Sequence, residues 1–272
     1  MEQLLTLSNK LFIKKFQKII ENVNDRLSDY LEDPNENNIH DIRIAIRRLG
    51  TLNKILPKRI RKESILQNYV NKSLRVFKIN TEVRDFDIIC KKLENYPSNS
   101  LCRKLVISLK KKRVLKLKKA RTVAYELKGL SLLKIEKIDV SNSKIEKRLY
   151  KILNRLIKLI GQNVPLVLDD EKKIEELHTL RKDLKKLRYS IELTSNDEYT
   201  SGFIYELKKM QDLLGEIHDS DIMIDYIKSV RKLTVLTDII NGEIAGRGEK
   251  YKVFVKTFEN NASNLKRLIQ ER

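Results

Sequence analysis

A chain can change direction only where its backbone can leave regular structure, and this one has few such places: eight Gly and four Pro in 272 residues. Between these breakers apolar residues recur every three or four positions, and no run alternates with period two. That recurrence marks amphipathic helices, whose i, i+3, i+4 and i+7 positions share a face. The expectation is an all-α protein of long helices. Phe12, Phe16, Ile19, Val23 and Leu27 trace a first helix from about Leu4 to Leu31, with Lys10, Lys14 and Lys18 away from the apolar stripe. Asp33 and Pro34, with the polar residues up to Asn38, end it. A second helix runs to Leu56, before Pro57. A third spans about Arg61 to Asn95 with an interruption near Asn80, and a fourth runs from about Asn99 to Leu127. Gly129 to Ser143 separates two halves and has room for an extended piece at Leu132 to Ile138. Beyond it come a helix from Lys144 to Ile160, a break over Gly161 to Pro165, a helix at 171–194 and another beginning near Gly202. A last helix ends near Arg272 and is weakened or kinked by Gly242, Gly246 and Gly248.

The second and sixth of these helices carry the same pattern. His40, Arg43, Arg47 and Arg48 match His178, Arg181, Lys185 and Lys186, each pair 138 residues apart. Histidine and cations at i, i+3 and i+7 share one helix face, opposite Ile42, Ala45, Leu49 and Leu52 in the first copy and Leu180, Leu184 and Leu187 in the second. Lys54 extends the first basic stripe and Arg188 the second. A second correspondence, offset by 134, relates Arg84, Asp85 and Asp87 to His218, Asp219 and Asp221. Repetition in register implies internal duplication: two four-helix units, residues 1–136 and 137–272. If they pack about a pseudo-twofold axis, the two stripes would face a shared basic groove.

Charge points the same way. The chain holds 57 Lys and Arg against 37 Asp and Glu, a net charge of +20, with 41% hydrophobic residues. That is ample apolar content for a core, so this is not a disordered basic tail. Residues 1–136 carry 31 basic and 15 acidic residues, net +16; residues 137–272 carry 26 and 22, net +4. A charge so far from zero implies an anionic partner: nucleic acid, an anionic surface or a polyphosphorylated molecule. Arg forks fit phosphate oxygens, Lys is a mobile point charge, and His can serve as a neutral donor. The stretch Arg103 to Arg121 has ten basic residues and no acidic one, with Lys112, Lys116 and Lys119 on one face. Arg113 lies inside an apolar stripe, where it either pairs with a core acid such as Asp85 or points into the groove. The Asp85/Asp87 and Asp219/Asp221 pairs either cap a turn, orient the basic residues, or form the only candidate divalent-metal ligands.

Cys90 and Cys102 lack metal or redox spacing and read as inert core thiols. No signal-peptide pattern opens the chain, and no stretch approaches 18 uncharged apolar residues, so the expectation is a cytoplasmic protein without a membrane partner. Gly-rich phosphate loops, GxSxG, HExxH and CxxC are absent from the sequence. Nothing argues for catalysis, and neither a cofactor nor a metal is expected.

The motif from His40 to Leu49, its counterpart from His178 through Arg188 and Tyr189, and the run from Gln211 to Asp219 together resemble the CHAD family of histidine-bearing α-helical domains over nearly the whole chain. The resemblance implies two four-helix bundles related by pseudo-twofold symmetry around a basic pore or groove. It also implies binding of inorganic polyphosphate, in some members with association to polyphosphate granules. The polyphosphate contacts it implies fall on His40, Arg43, Arg47, Arg48, His178, Arg181, Lys185, Lys186 and Arg188; Lys14, Lys18, Lys54, Arg113 and Lys116 are added from the charge pattern. Members are often fused to a triphosphate-tunnel (CYTH) domain, which here would be a separate chain. Gly50 stands where the first motif often has another Arg, and Lys182-Asp183 replaces an apolar-small pair. Two other functions compete with polyphosphate binding. One is nonspecific nucleic-acid binding, for which 6% aromatics and no Trp offer few stacking platforms. The other is metal-assisted polyphosphate processing on the Asp pairs.

Overall fold

The structure, a computed structural model, describes residues 9–130, 142–193, 198–230 and 236–270. Among them there is no strand, and the fold is all-α. The described residues within Ser8–Arg148 form one compact unit, here the first, and those within Leu149–Arg272 the second.

The first unit begins with α1 (Asn9–Glu32), which buries Phe12, Phe16, Ile20, Val23, Leu27 and Tyr30. Ile20, rather than the expected Ile19, occupies the core position. Its last turn gives way at Asp33 and Pro34, and Asn35 then caps α2 (Glu36–Ile55) by accepting from the Asn38 amide at 2.9 Å. Leu56, extended as a residue before proline must be, ends α2 ahead of Pro57. A single turn, α3 (Lys58–Arg61), leads into α4 (Ser64–Leu93). Asn99 caps α5 (Ser100–Lys128), accepting from the amides of Leu101 and Cys102. α2 packs on α1 and α4, and α5 packs on α4 and α1, so the four long helices close a bundle.

The interruption expected at Asn80 does not occur. Asn80 is fully buried, its Nδ2 donates to the Val76 carbonyl at 3.1 Å, and its Oδ1 accepts from Tyr30 Oη at 3.2 Å. An amide satisfied by its own helix and by a neighbouring tyrosine need not break the ladder. The start expected at Leu4 and the extended piece at Leu132 to Ile138 lie outside the described residues.

In the second half α6 (Asn142–Asp169) runs unbroken through Gly161 and Pro165, against the expected break. Packing overrides propensity there: Ile160, Val164 and Val167 are buried, and a Cβ on Gly161 would stand 3.1 Å from Ile269. The division between units falls inside α6. Just before it, Arg148 donates to the carbonyls of Ile55 (3.0 Å) and Lys54 (2.8 Å) at the end of α2. α7 (Ile174–Ile191) packs on α8 (Glu198–Lys228), and α8 packs on α9 (Thr237–Asn261) and α10 (Ser263–Gln270). α9 passes through Gly242, Gly246 and Gly248 without a break; the chain leaves helix only at Ala262, where α10 begins. Glu206 holds that corner, accepting from the amides of Asn264 and Leu265.

Candidate functional site

In the first unit the basic stripe stands on α2 and leans on α4. Arg43 Nη1 donates to the Phe77 carbonyl at 3.2 Å and to Thr81 Oγ1 at 2.9 Å, and its guanidinium lies 4.6 Å from the centre of the Phe77 ring. Arg47 lies 5.2 Å over the same ring. Phe77 is thus a platform that orients two guanidiniums without neutralising either. Among the described residues Arg47 pairs with no carboxylate. His40 and Lys54 are exposed, and Arg48 is half-buried.

On its other side α4 engages α5. Arg113 is not a bare cation in an apolar stripe: its Nε donates to Asp87 at 2.5 Å and its Nη2 to the Pro34 carbonyl at 3.3 Å. The core acid is Asp87, not Asp85. Burial raises the Asp87 carboxyl above its usual range, against the opposing hydrogen bond and charge of Arg113. Lys116 pairs with Glu82 at 2.5 Å. The stretch Phe77 to Asp87 therefore gathers Arg43, Arg47, Arg113 and Lys116. Lys14 and Lys18 are exposed on α1, and no described contact ties them to that stretch.

The second unit repeats the anchor. Arg247 Nε donates to Asp221 at 2.5 Å and its Nη2 to the Glu171 carbonyl at 2.9 Å. Asp87 and Asp221 are 134 residues apart, and so are Arg113 and Arg247. Sequence reading missed Arg247, although adding the known offset to Arg113 would have found it. Here the anchor reaches the stripe. His178 Nε2 lies 3.1 Å from Asp221 Oδ2 and 2.9 Å from His218 Nδ1, the two rings edge to face at 4.3 Å. When His178 carries its proton on Nε2, Asp221 Oδ2 and His218 Nδ1 both face that one proton as acceptors. Burial works to raise Asp221, but the hydrogen bonds from His178 and Arg247 outweigh it and hold the carboxyl below its usual range. His218 is pushed down to about 3 by burial, then by Arg181 and His178.

Other members of the second stripe are engaged on their own helix. Lys186 pairs with buried Asp183 at 2.7 Å, and Arg188 reaches Glu192 at 3.6 Å while lying over Tyr189. Arg181 borders Gly215, the position that corresponds to Thr81: a Cβ there would stand 3.9 Å from Arg181 Nε. Gln211, in the position of Phe77, donates to the Leu184 carbonyl at 2.9 Å.

The Asp pairs do not cap helices, since Asp85 and Asp219 lie well inside α4 and α8. Their partners two residues on, Asp87 and Asp221, hold arginines. Among the described residues no group of three or more His, Cys, Asp or Glu is placed to hold a metal. Cys90 and Cys102 are buried, and burial pushes the Cys90 thiol up to about 11. No described helix is long and apolar enough to cross a membrane.

What this arrangement offers is cations on rigid supports, fit for binding an extended anion. Residues 14–228 match the family model of the CHAD domain. The chain also resembles the crystal structure of the CHAD domain from the plant Ricinus communis, with a TM-score of 0.60 and 14% identity over 97% of this chain and 90% of that one. A search of curated proteins found no match.

Proposed function

The chain belongs to the CHAD domain family, and from that premise we propose that it binds long-chain inorganic polyphosphate, without turning it over, through the basic stripes of α2 and α7. The observation that carries this reading is Arg43 and Arg47 held over Phe77. Their charges are fixed in place before any ligand arrives, and among the described residues Arg47 has no carboxylate to release. A cation held by backbone, hydroxyl and ring loses little freedom on meeting phosphate, so more of its attraction survives as affinity. The anchors Arg113–Asp87 and Arg247–Asp221 serve as positioning pairs, and in the second unit that positioning extends to His178. A polymer with one charge per phosphate rewards such a row through counterion release, which makes affinity fall steeply with salt. From the same premise we propose a cytoplasmic protein associated with polyphosphate granules.

The test is calorimetric titration with long-chain polyphosphate and with duplex and single-stranded DNA of matched charge, at low and moderate salt. A variant with Arg43, Arg47, Arg181 and Lys185 changed to Ala is run alongside. Polyphosphate-selective binding that the variant loses supports the reading. Equal affinity for all three polymers makes the stripes a general cationic surface and favours nucleic acid.

A further inference from the structure

About 9 Å along α2 from Arg47, by helical rise, the end of α2, the single turn α3 and the first turns of α4 line an open pocket of about 250 Å³. Asn53, Lys58, Arg61, Lys62, Gln67 and Asn71 line it with one valine, and no carboxylate does. Among the described residues Lys58, Arg61 and Lys62 pair with no acidic side chain. Two lining atoms, Arg61 Nε and Asn53 Oδ1, are shut off from solvent with no hydrogen-bond partner. A buried guanidinium N–H without an acceptor is a costly thing for a fold to keep.

A further cation presses on the same place. Arg148, bound to the carbonyls of Ile55 and Lys54, has its pKa lowered by burial and then by the charge of Arg61. Like charges left facing each other in a half-buried setting destabilise the unit unless an anion lies among them.

The bundle itself does not demand this lining. By the offsets that superpose the two halves, Asn53, Gln67 and Asn71 correspond to Ile191, Ser201 and Tyr205. Duplication kept the Arg–Asp anchors but not the carboxamides.

We propose that this pocket binds a compact phosphate anion of one or two phosphoryl groups, either free pyrophosphate or the terminal group of a polyphosphate chain. The volume lies below the roughly 300–1,000 Å³ usual for organic ligands. Arg61 turns its Nε out to a phosphoryl oxygen, and Lys58 and Lys62 neutralise the remaining charge. Asn53 either accepts the P–OH of a monoprotonated phosphate or turns its carboxamide to donate. The proposal goes beyond polyphosphate binding by the stripes and stands whether or not that holds.

The test is a calorimetric titration of the intact chain with pyrophosphate, repeated on Arg61→Gln, on the exposed Lys58→Gln, and on Lys111→Gln as a charge-matched control elsewhere on the surface. The expected result is saturable 1:1 binding, weakened at least tenfold by Arg61→Gln and severalfold by Lys58→Gln, with Lys111→Gln within twofold of wild type. The lysine variant keeps the test decisive if Arg61→Gln does not fold. Short and long polyphosphate at equal phosphate concentration separate the two sources. A chain-end site makes Arg61→Gln hurt the short chains more, whereas a site for free pyrophosphate leaves the ratio unchanged. No saturable pyrophosphate binding, or full affinity in both Arg61→Gln and Lys58→Gln, overturns the proposal. Loss of polyphosphate binding by the α2 and α7 variant with pyrophosphate binding intact separates the two sites.

Discussion

His218 makes the second unit sensitive to mild acid, by an amount that follows from its surroundings. Burial, Arg181 and His178 hold its imidazole at about 3 in the folded chain, against about 6.5 when unfolded. A group harder to protonate when folded costs nothing above pH 6.5, where both states leave it neutral. Below that, the unfolded chain takes up a proton that the folded one refuses, and stability falls until the pH nears 3. At pH 5.0 the linkage amounts to about 2 kcal/mol relative to pH 7.5. Carboxylates titrate mostly below this window, so the histidine stands out from the general acid response. The perturbation is His218→Gln, which stays neutral at every pH. Urea unfolding of wild type and variant at pH 7.5 and 5.0, read by circular dichroism and by amide exchange along α8, gives the difference. The wild type should lose about 2 kcal/mol more than the variant across that interval. Equal losses would refute the argument, because His218 would then be free to take its proton in the fold.

Arg247→Met should destabilise the second unit by about 3 kcal/mol in thermal melts, since Asp221 would keep its burial and lose its arginine; adding Asp221→Leu should restore most of that. Tyr30→Phe should cost about 1–2 kcal/mol in urea unfolding by leaving the Asn80 carboxamide oxygen unsatisfied, and Tyr30→Phe with Asn80→Leu should cost less than the single change. Both thiols should resist a colorimetric thiol reagent at pH 8 until denaturant is added, because burial raises Cys90 and Cys102 alike. In salt titrations of polyphosphate binding, each alanine replacing Arg43 or Arg47 should reduce the slope of log affinity against log salt by roughly one unit.

The helices were legible because their apolar spacing is strong and breakers are scarce. Where the reading failed, a tertiary contact had overruled a local preference. Asn80 looks like a break until Tyr30 is known to lie across from it, and Pro165 looks like a stop until the burial of Val164 and Val167 is known. The stripes were legible as charge at regular spacing. Their environment was not: which acid would meet Arg113 depends on how α5 lies against α4, and Asp85 and Asp87 differ by only two positions in the chain. Arg247 escaped because a single arginine in a mixed helix carries no local signal, though the duplication offset pointed at it. The pocket at Arg61 escaped because its parts come from three helices with no shared spacing.

If the two halves descend from one pattern, they face a difficulty that unrelated domains do not: while the chain folds, a helix of one half would meet surfaces shaped for its counterpart. The buried pair of Tyr30 and Asn80 would then work as a key against that error. The position matching Asn80 in the other half is Leu214, which is apolar and buried. Should α4 settle where α8 belongs, Asn80 would enter a site made for leucine, with no tyrosine hydroxyl assured and about 1–3 kcal/mol forfeited for the stranded amide. On that reading, one polar contact in only one half would let the chain tell its own helices apart, much as a single buried asparagine sets register in a coiled coil.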